Sequence, residues 1–229
     1  MKIYGIGIGP GDPELLTVKA VRLMQESDVV VVPQSDKTGR SLAKDIIKDV
    51  VSDEKIYMYY FPMTGNKADL DVKYAELAGQ IAKMVKEGKK VSYVTIGDAP
   101  IYSTLNYLAH KLELHGIKME FVPGISAISA VPNILCLPVT EKDESFCTVE
   151  MKEDTAFLKE CTEKFATVFV MKVHNKLDVL KKFVKENNIK TAYVISRATL
   201  TDEIILNLNS DGQKDINYLS TAILKKGGA

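Results

Sequence analysis

Residues 28–33 read DVVVVP, four apolar β-branched positions in a row with no polar alternation. A strand of this kind has no face to give to water, so both of its faces must be covered. The preceding residues supply one cover. Residues 2–9 read as a buried strand that ends in glycines. Asp12 suits a helix N-cap, Pro13 the first helical position and Glu14 the positive end of the helix dipole. Leu15, Val18 and Val21 then carry an apolar stripe to about Glu26. The chain opens as strand, helix, strand, which predicts helices layered on a parallel sheet.

The same grammar continues. Helices are expected over 41–50, 68–88 and 103–115, the second closed by Gly88 and the third stopped by Gly116. Strands are expected over 55–59, 89–98 and 117–124. Between 132 and 145 the pattern breaks, with Pro132, Pro138 and the polar run TEKDES. A boundary is therefore expected there, giving domains 1–138 and 139–229. The second half offers strands near 147–151, 166–173, 192–196, 204–208 and 218–224. The last of these follow one another without helices, which points to a mixed sheet. The expected fold class is α/β: two α/β domains forming a cleft, the N-terminal sheet mainly parallel and the C-terminal one mixed.

Lysine plus arginine and aspartate plus glutamate both number 30, and the arginines are Arg22, Arg40 and Arg197 alone. Nucleic-acid binders draw affinity from a basic excess, so this balance favours a small-molecule partner and no nucleic acid. The apolar runs are too short to span a bilayer, and the chain opens directly into a strand. A cytoplasmic location is expected. Cys136, Cys147 and Cys161 form no CxxC pair and read as small core residues in a reducing compartment. No side chains show metal-ligand spacing, so no metal is expected.

The glycine-rich opening, GIGIGPGDPELLT at 5–17, raises the question of a phosphate cradle. The dinucleotide fingerprint G-x-G-x-x-G would need glycine at Pro10 or at Asp12, and no lysine and hydroxyl pair follows as in a P-loop. What remains is bare backbone at the carboxyl end of a strand, where open parallel sheets hold ligands. The stretches TIGDAPIYST (95–104), VPGISAIS (122–129) and FVMKV (169–173) end strands in the same way. Either each is a turn that needs glycine for positive φ, or together they surround one flat organic ligand.

The motifs GxGPGDPELLT, GDxxxYST and PGIS, taken together, resemble the tetrapyrrole methylases, and the resemblance runs over nearly the whole chain. That family uses S-adenosylmethionine in sirohaem and cobalamin synthesis. Tyr102-Ser103-Thr104 and FPMT at 61–64 resemble the members that methylate C20 of precorrin-2 or cobalt-factor II. The family commonly reads Gly-Asp-Pro where this chain has Gly97-Asp98-Ala99, with the proline following at Pro100. The resemblance implies a pair of α/β domains with the methyl donor in the cleft. It places Pro10, Gly97, Asp98, Ile101, Ser126, Ala127, Met171 and Ala198 against the donor.

Asp12 and Tyr102 fall near the expected cleft by motif position. Asp12 is either a proton acceptor or simply the helix cap. Tyr102 is either a group that acts in the proton step or one that packs against substrate, its phenol being protonated near neutral pH. The substrate's many carboxylates call for basic groups, and Arg40, Lys142, Lys172 and Arg197 are candidates against the alternative of solvated surface charges. His174 follows the FVMKV strand and is the histidine nearest the expected cleft, whereas His110 and His115 are expected at the surface. Phe61 and Met63 either form a lid or dimer contact or pack beneath the long helix. Kinship implies a homodimer. The competing readings are a methylase of another ring position, one acting on a diphthamide precursor, and a non-catalytic nucleotide sensor.

Overall fold

The computed structural model describes residues 1–34, 41–61, 66–212 and 215–226. Arg40 and the Pro62–Thr64 part of FPMT lie outside the described residues. The chain divides into two compact units, Met1–Ser126 and Ala127–Ala229.

The first unit contains β1 (Lys2–Gly7), α1 (Val18–Glu26), β2 (Val29–Gln34), α2 (Leu42–Ile47), β3 (Ile56–Tyr60), α3 (Lys67–Lys86), β4 (Val91–Thr95), α4 (Leu105–Glu113) and β5 (Lys118–Val122). The strands form a five-stranded sheet in the order β3-β2-β4-β1-β5, parallel throughout. Helices cover both faces. Ile6 and Ile8 pack with Ala20, Leu23 and Met24 of α1 and Ile46 and Ile47 of α2. On the other face Ile3 and Tyr93 pack with Leu77 and Ile81 of α3 and Leu105 and Leu108 of α4. The valine run of β2 divides between them, Val30 and Val32 on one side and Val31 on the other. All three are 0% exposed, as an unalternated strand requires.

The opening helix starts later than its sequence suggests. Asp12 caps a single 3-10 turn, Pro13–Leu15, and α1 begins only after Thr17, whose hydroxyl accepts from Ala20 N at 3.1 Å. Thr17 also belongs to the favoured caps, and it is the one that starts α1. Phe61 stacks against Tyr59 and Tyr74, with ring centroids 5.0 and 4.8 Å away. It thus packs on α3. Burial, with the Glu76 carboxylate beside it, pushes the Tyr59 phenol up to about 12.

The second unit contains α5 (Ala127–Ile134), β6 (Phe146–Glu150), α6 (Ala156–Lys164), β7 (Thr167–Met171), α7 (Leu177–Glu186), β8 (Thr191–Ser196), β9 (Ile204–Asn207) and β10 (Ser220–Lys225). Its sheet runs β6-β7-β10-β8-β9. Only β6 and β7 pair in parallel, so this sheet is mixed. The boundary lies at 126/127, ahead of the expected 138/139, because residues 127–134 are helical despite Pro132. This helix packs on the second sheet, Val131 meeting Phe169, Ile195 and Ile223. The helices α6 and α7 carry apolar stripes that the strand-centred reading passed over. In α7, Leu177, Leu180, Phe183 and Val184 are buried. Cys161 is buried and Cys147 half-buried, but Cys136 is exposed, which corrects its reading as a core residue.

Gly5 and Gly79 separate two uses of glycine. A Cβ on Gly5 would lie 2.7 Å from both Leu105 Cδ1 and Met119 Sδ, whereas one on Gly79 of α3 would meet nothing within 4 Å. Gly79→Ala is expected to stabilise by about 0.5–1 kcal/mol through helix propensity. Gly5→Ala is expected to destabilise by about 1–3 kcal/mol through overpacking. Denaturant unfolding of both variants checks the pair.

Candidate functional site

Connections leave β1 and β4 in opposite senses. The chain leaves β1 through α1 on one face and leaves β4 through α4 on the other. Since β1 and β4 are neighbours, their carboxyl ends form a topological switch point, the place where open α/β sheets bind ligands. The loops after β1, β4 and β5 meet there.

Their junction is built of backbone. Ile8 N donates to Thr95 O at 2.9 Å, Gly97 N to Gly9 O at 2.7 Å, and Gly9 N to Gly97 O at 3.2 Å. Gly9 and Gly97 adopt φ of +77° and +75°, a region costly for any residue with a Cβ. A Cβ on Gly7 would lie 2.7 Å from Gly97 O and from Gly124 N. One on Gly124 would collide with Gly97 O and sit 2.7 Å from Gly7 O. Asp98 closes the knot, its Oδ1 accepting from Ala99 N at 2.9 Å and Gly124 N at 3.0 Å. Ala99 is fully buried there, so alanine in the usual proline position leaves the loop intact. Behind it, Thr95 Oγ1 and Ser103 Oγ are 3.0 Å apart, and Ser103 Oγ accepts from Leu105 N at 3.1 Å. The hydroxyl pair anchors the Tyr102-Ser103-Thr104 segment to β4.

The glycines therefore divide differently from the sequence expectation. Gly7 and Gly124 allow protein to approach protein rather than ligand. Gly97 alone among these three faces open space, nothing lying within 4 Å of where its Cβ would be. Among the described residues the Asp98 N–H and the whole main chain of Ile101 have no hydrogen-bond partner. Pro10 is buried beside this loop's β1 partner, and Ser126 and Ala127 are half-buried. Ile101 and Tyr102 are exposed, and Tyr102 has φ of 50°. The half-buried Asp12 accepts from Glu14 N at 2.8 Å, so its carboxylate serves as the cap of its turn.

In the second unit, Met171 ends β7 opposite Thr221 of β10. Ala198 follows β8 and is 8% exposed, packed with Val131, Phe169, Ile195 and Ile223. The basic candidates are held by acids: Lys172 Nζ lies 3.1 Å from Glu150 and Arg197 Nε 2.6 Å from Asp202. The Arg197 guanidinium holds the Asp202 carboxyl below its ordinary value. Lys142 is exposed in a turn with φ of 50°. His174 Nδ1 lies 2.6 Å from Ile216 O and donates to that carbonyl, which can only accept; His110 and His115 are exposed. Among the described residues no three His, Cys, Asp or Glu side chains could together hold a metal ion. Thr95, Ser103 and Gly124 lie inside the motif stretches, but their part in building the first site, a hydroxyl pair and a close backbone approach, was not assigned from the sequence.

The Asp98 clamp predicts an asymmetry between two substitutions. Asp98→Ala strands two N–H groups and is expected to cost about 2–4 kcal/mol in urea unfolding. Asp98→Asn keeps an acceptor oxygen and is expected to lose under half of that. Equal losses would contradict the clamp.

The family model for Tetrapyrrole (Corrin/Porphyrin) Methylases matches residues 2–210. The chain is 36% identical over 230 residues to a protein of Methanocaldococcus jannaschii named probable cobalt-precorrin-2 C(20)-methyltransferase, covering 98% of this chain and 96% of that one. It is 26% identical over 231 residues to the cobalt-precorrin-2 C(20)-methyltransferase of Salmonella typhimurium, with the same coverage. A crystal structure of uroporphyrin-III C-methyl transferase from Thermus thermophilus, complexed with S-adenyl homocysteine, shares the fold with a TM-score of 0.70 and 20% identity. That match covers 99% of this chain and 98% of the other. With a family match spanning most of its length and a relative this similar from end to end, the chain belongs to the tetrapyrrole methylase family.

Proposed function

We propose that this protein is an S-adenosylmethionine-dependent methyltransferase acting at C20 of precorrin-2 or cobalt-factor II in cobalamin biosynthesis. The choice of ring position is carried by the 36% identity, across nearly both full lengths, to the relative named for that reaction. Tyr102-Ser103-Thr104, anchored through the Thr95–Ser103 hydroxyl pair, is the local feature that agrees with it.

The first unit's loops fit such a donor. Gly97 leaves open the space a Cβ would fill, and beside it the Asp98 and Ile101 N–H groups have no partner among the described residues. A ligand read by main chain needs this combination, since each buried hydrogen bond left unmade costs about 1–3 kcal/mol. When bound, the donor supplies an electrophilic methyl on a positively charged sulfur. Gly97, Asp98 and Ile101 are assigned to hold it through backbone, Pro10 to exclude water, and Ser126 and Ala127 to border it. Met171 and Ala198 carry the same assignment from the second unit.

Alignment is the protein's main contribution to such a transfer, worth up to about 7–11 kcal/mol for two ordered reactants. Little acid–base chemistry is required of the chain. Asp12 is committed to Glu14 N, which leaves Tyr102, with 48% of its surface exposed, as the proposed contact to substrate. Lys142 and Arg40 are proposed to meet substrate carboxylates; for Lys172 and Arg197 the same role would require exchanging Glu150 and Asp202 for substrate. A homodimer in the cytoplasm completes the proposal, on kinship and on the lack of any described helix long and apolar enough to cross a membrane.

Incubation with methyl-labelled donor and either precorrin-2 or cobalt-factor II, followed by NMR of the product, is expected to place the label on C20. Label on a different ring carbon would reassign the reaction within the family.

A further inference from the structure

The turn after β8 holds its backbone in a strained form on both sides of one residue. Arg197 has φ of 55° and Thr199 φ of 68°. For threonine, branched at Cβ, a positive φ is a true outlier. Strain of this kind persists only where surrounding contacts over-determine it, and it gathers at ligand clamps.

The contacts here are specific. Arg197 N donates to Leu219 O at 2.8 Å, and its carbonyl accepts from Leu200 N at 3.0 Å. Its Nε donates to Asp202 Oδ1 at 2.6 Å. Glu203 Oε2 accepts from Thr199 N at 2.7 Å, and Glu203 N donates to Leu200 O at 3.0 Å. The residue enclosed by the strained pair is Ala198. Its methyl is fixed in an apolar cluster with Phe169, Ile195 and Ile223, and only 8% of the residue is exposed. Yet among the described residues neither its N–H nor its carbonyl has a hydrogen-bond partner. Buried main-chain groups are nearly always paired, so an unpaired donor and acceptor on one held residue point to a ligand.

We infer that Glu203 is a positioning residue: its carboxylate, with the Arg197–Asp202 pair, fixes the 197–203 turn so that the Ala198 N–H and carbonyl stand ready for the methyl donor. This rests on the reading of the protein as a donor-binding methylase and deepens it. Arg197 and Asp202 then form a structural pair of the cofactor site, and Glu203, which no sequence motif marks, becomes a determinant of donor affinity. An acceptor on Thr199 N is needed because it must offset the preference of Thr199 for an ordinary φ.

The test is calorimetric titration of the full chain with S-adenosylhomocysteine, beside a thermal melt of each variant. Glu203→Ala is expected to weaken binding roughly tenfold or more, with a melting midpoint close to that of the unmodified protein. Glu203→Gln, whose amide oxygen still accepts from Thr199 N, is expected to recover most of the affinity. Unchanged affinity in Glu203→Ala, or a loss that Glu203→Gln does not repair, would overturn the inference while leaving the donor reading intact. If the unmodified protein itself binds no S-adenosylhomocysteine, the donor reading fails and the inference falls with it.

Discussion

The two N–H groups that converge on one oxygen of Asp98 set the geometry of the first unit's ligand edge. They tie the loop after β4 to the loop after β5, and the glycine at 124 permits the approach because it has no side chain. The loop after β1 is bound to the same knot through the paired main chains of Gly9 and Gly97. Three strand ends thus become one rigid backbone surface. With the structural hydrogen bonds used inside the knot, the groups at 98 and 101 that have no partner among the described residues are the ones proposed to meet the donor. A site assembled in this way is proposed to recognise by placement of amides, since the motif acids Asp12 and Asp98 accept from backbone N–H groups within the loops themselves.

The second unit uses another device for the same end. Its sheet is mixed, and its turn after β8 contains no glycine; Arg197 and Thr199 take up left-handed backbone conformations themselves. The cost is met by acidic side chains, Asp202 on the arginine and Glu203 on the threonine amide. The two units show two solutions to presenting bare backbone: glycine where chains must touch, and pinned strain where a side chain is retained.

Much of this was legible in the residues. The unalternated valines of β2 required a sheet covered on both faces, and the motif set pointed to the family before any coordinate. The purpose of individual glycines was not legible, because close approach to protein and close approach to ligand leave the same letter in the sequence. Pro132 suggested a break, yet its helix continues and moves the unit boundary forward. Asp12 and Thr17 are both good caps, and only tertiary packing decides between them. The partners of Lys172 and Arg197 lie across a strand pair and around a turn, distances over which charge pattern carries no information.

The central claim is that main chain, not side chain, holds the donor at the first unit's switch point. Amide hydrogen exchange followed residue by residue, with and without S-adenosylhomocysteine, tests it most directly. The account predicts that the Asp98 and Ile101 amides slow when the ligand is added. Unaltered exchange at both positions, with protection arising at other strand ends instead, would contradict it.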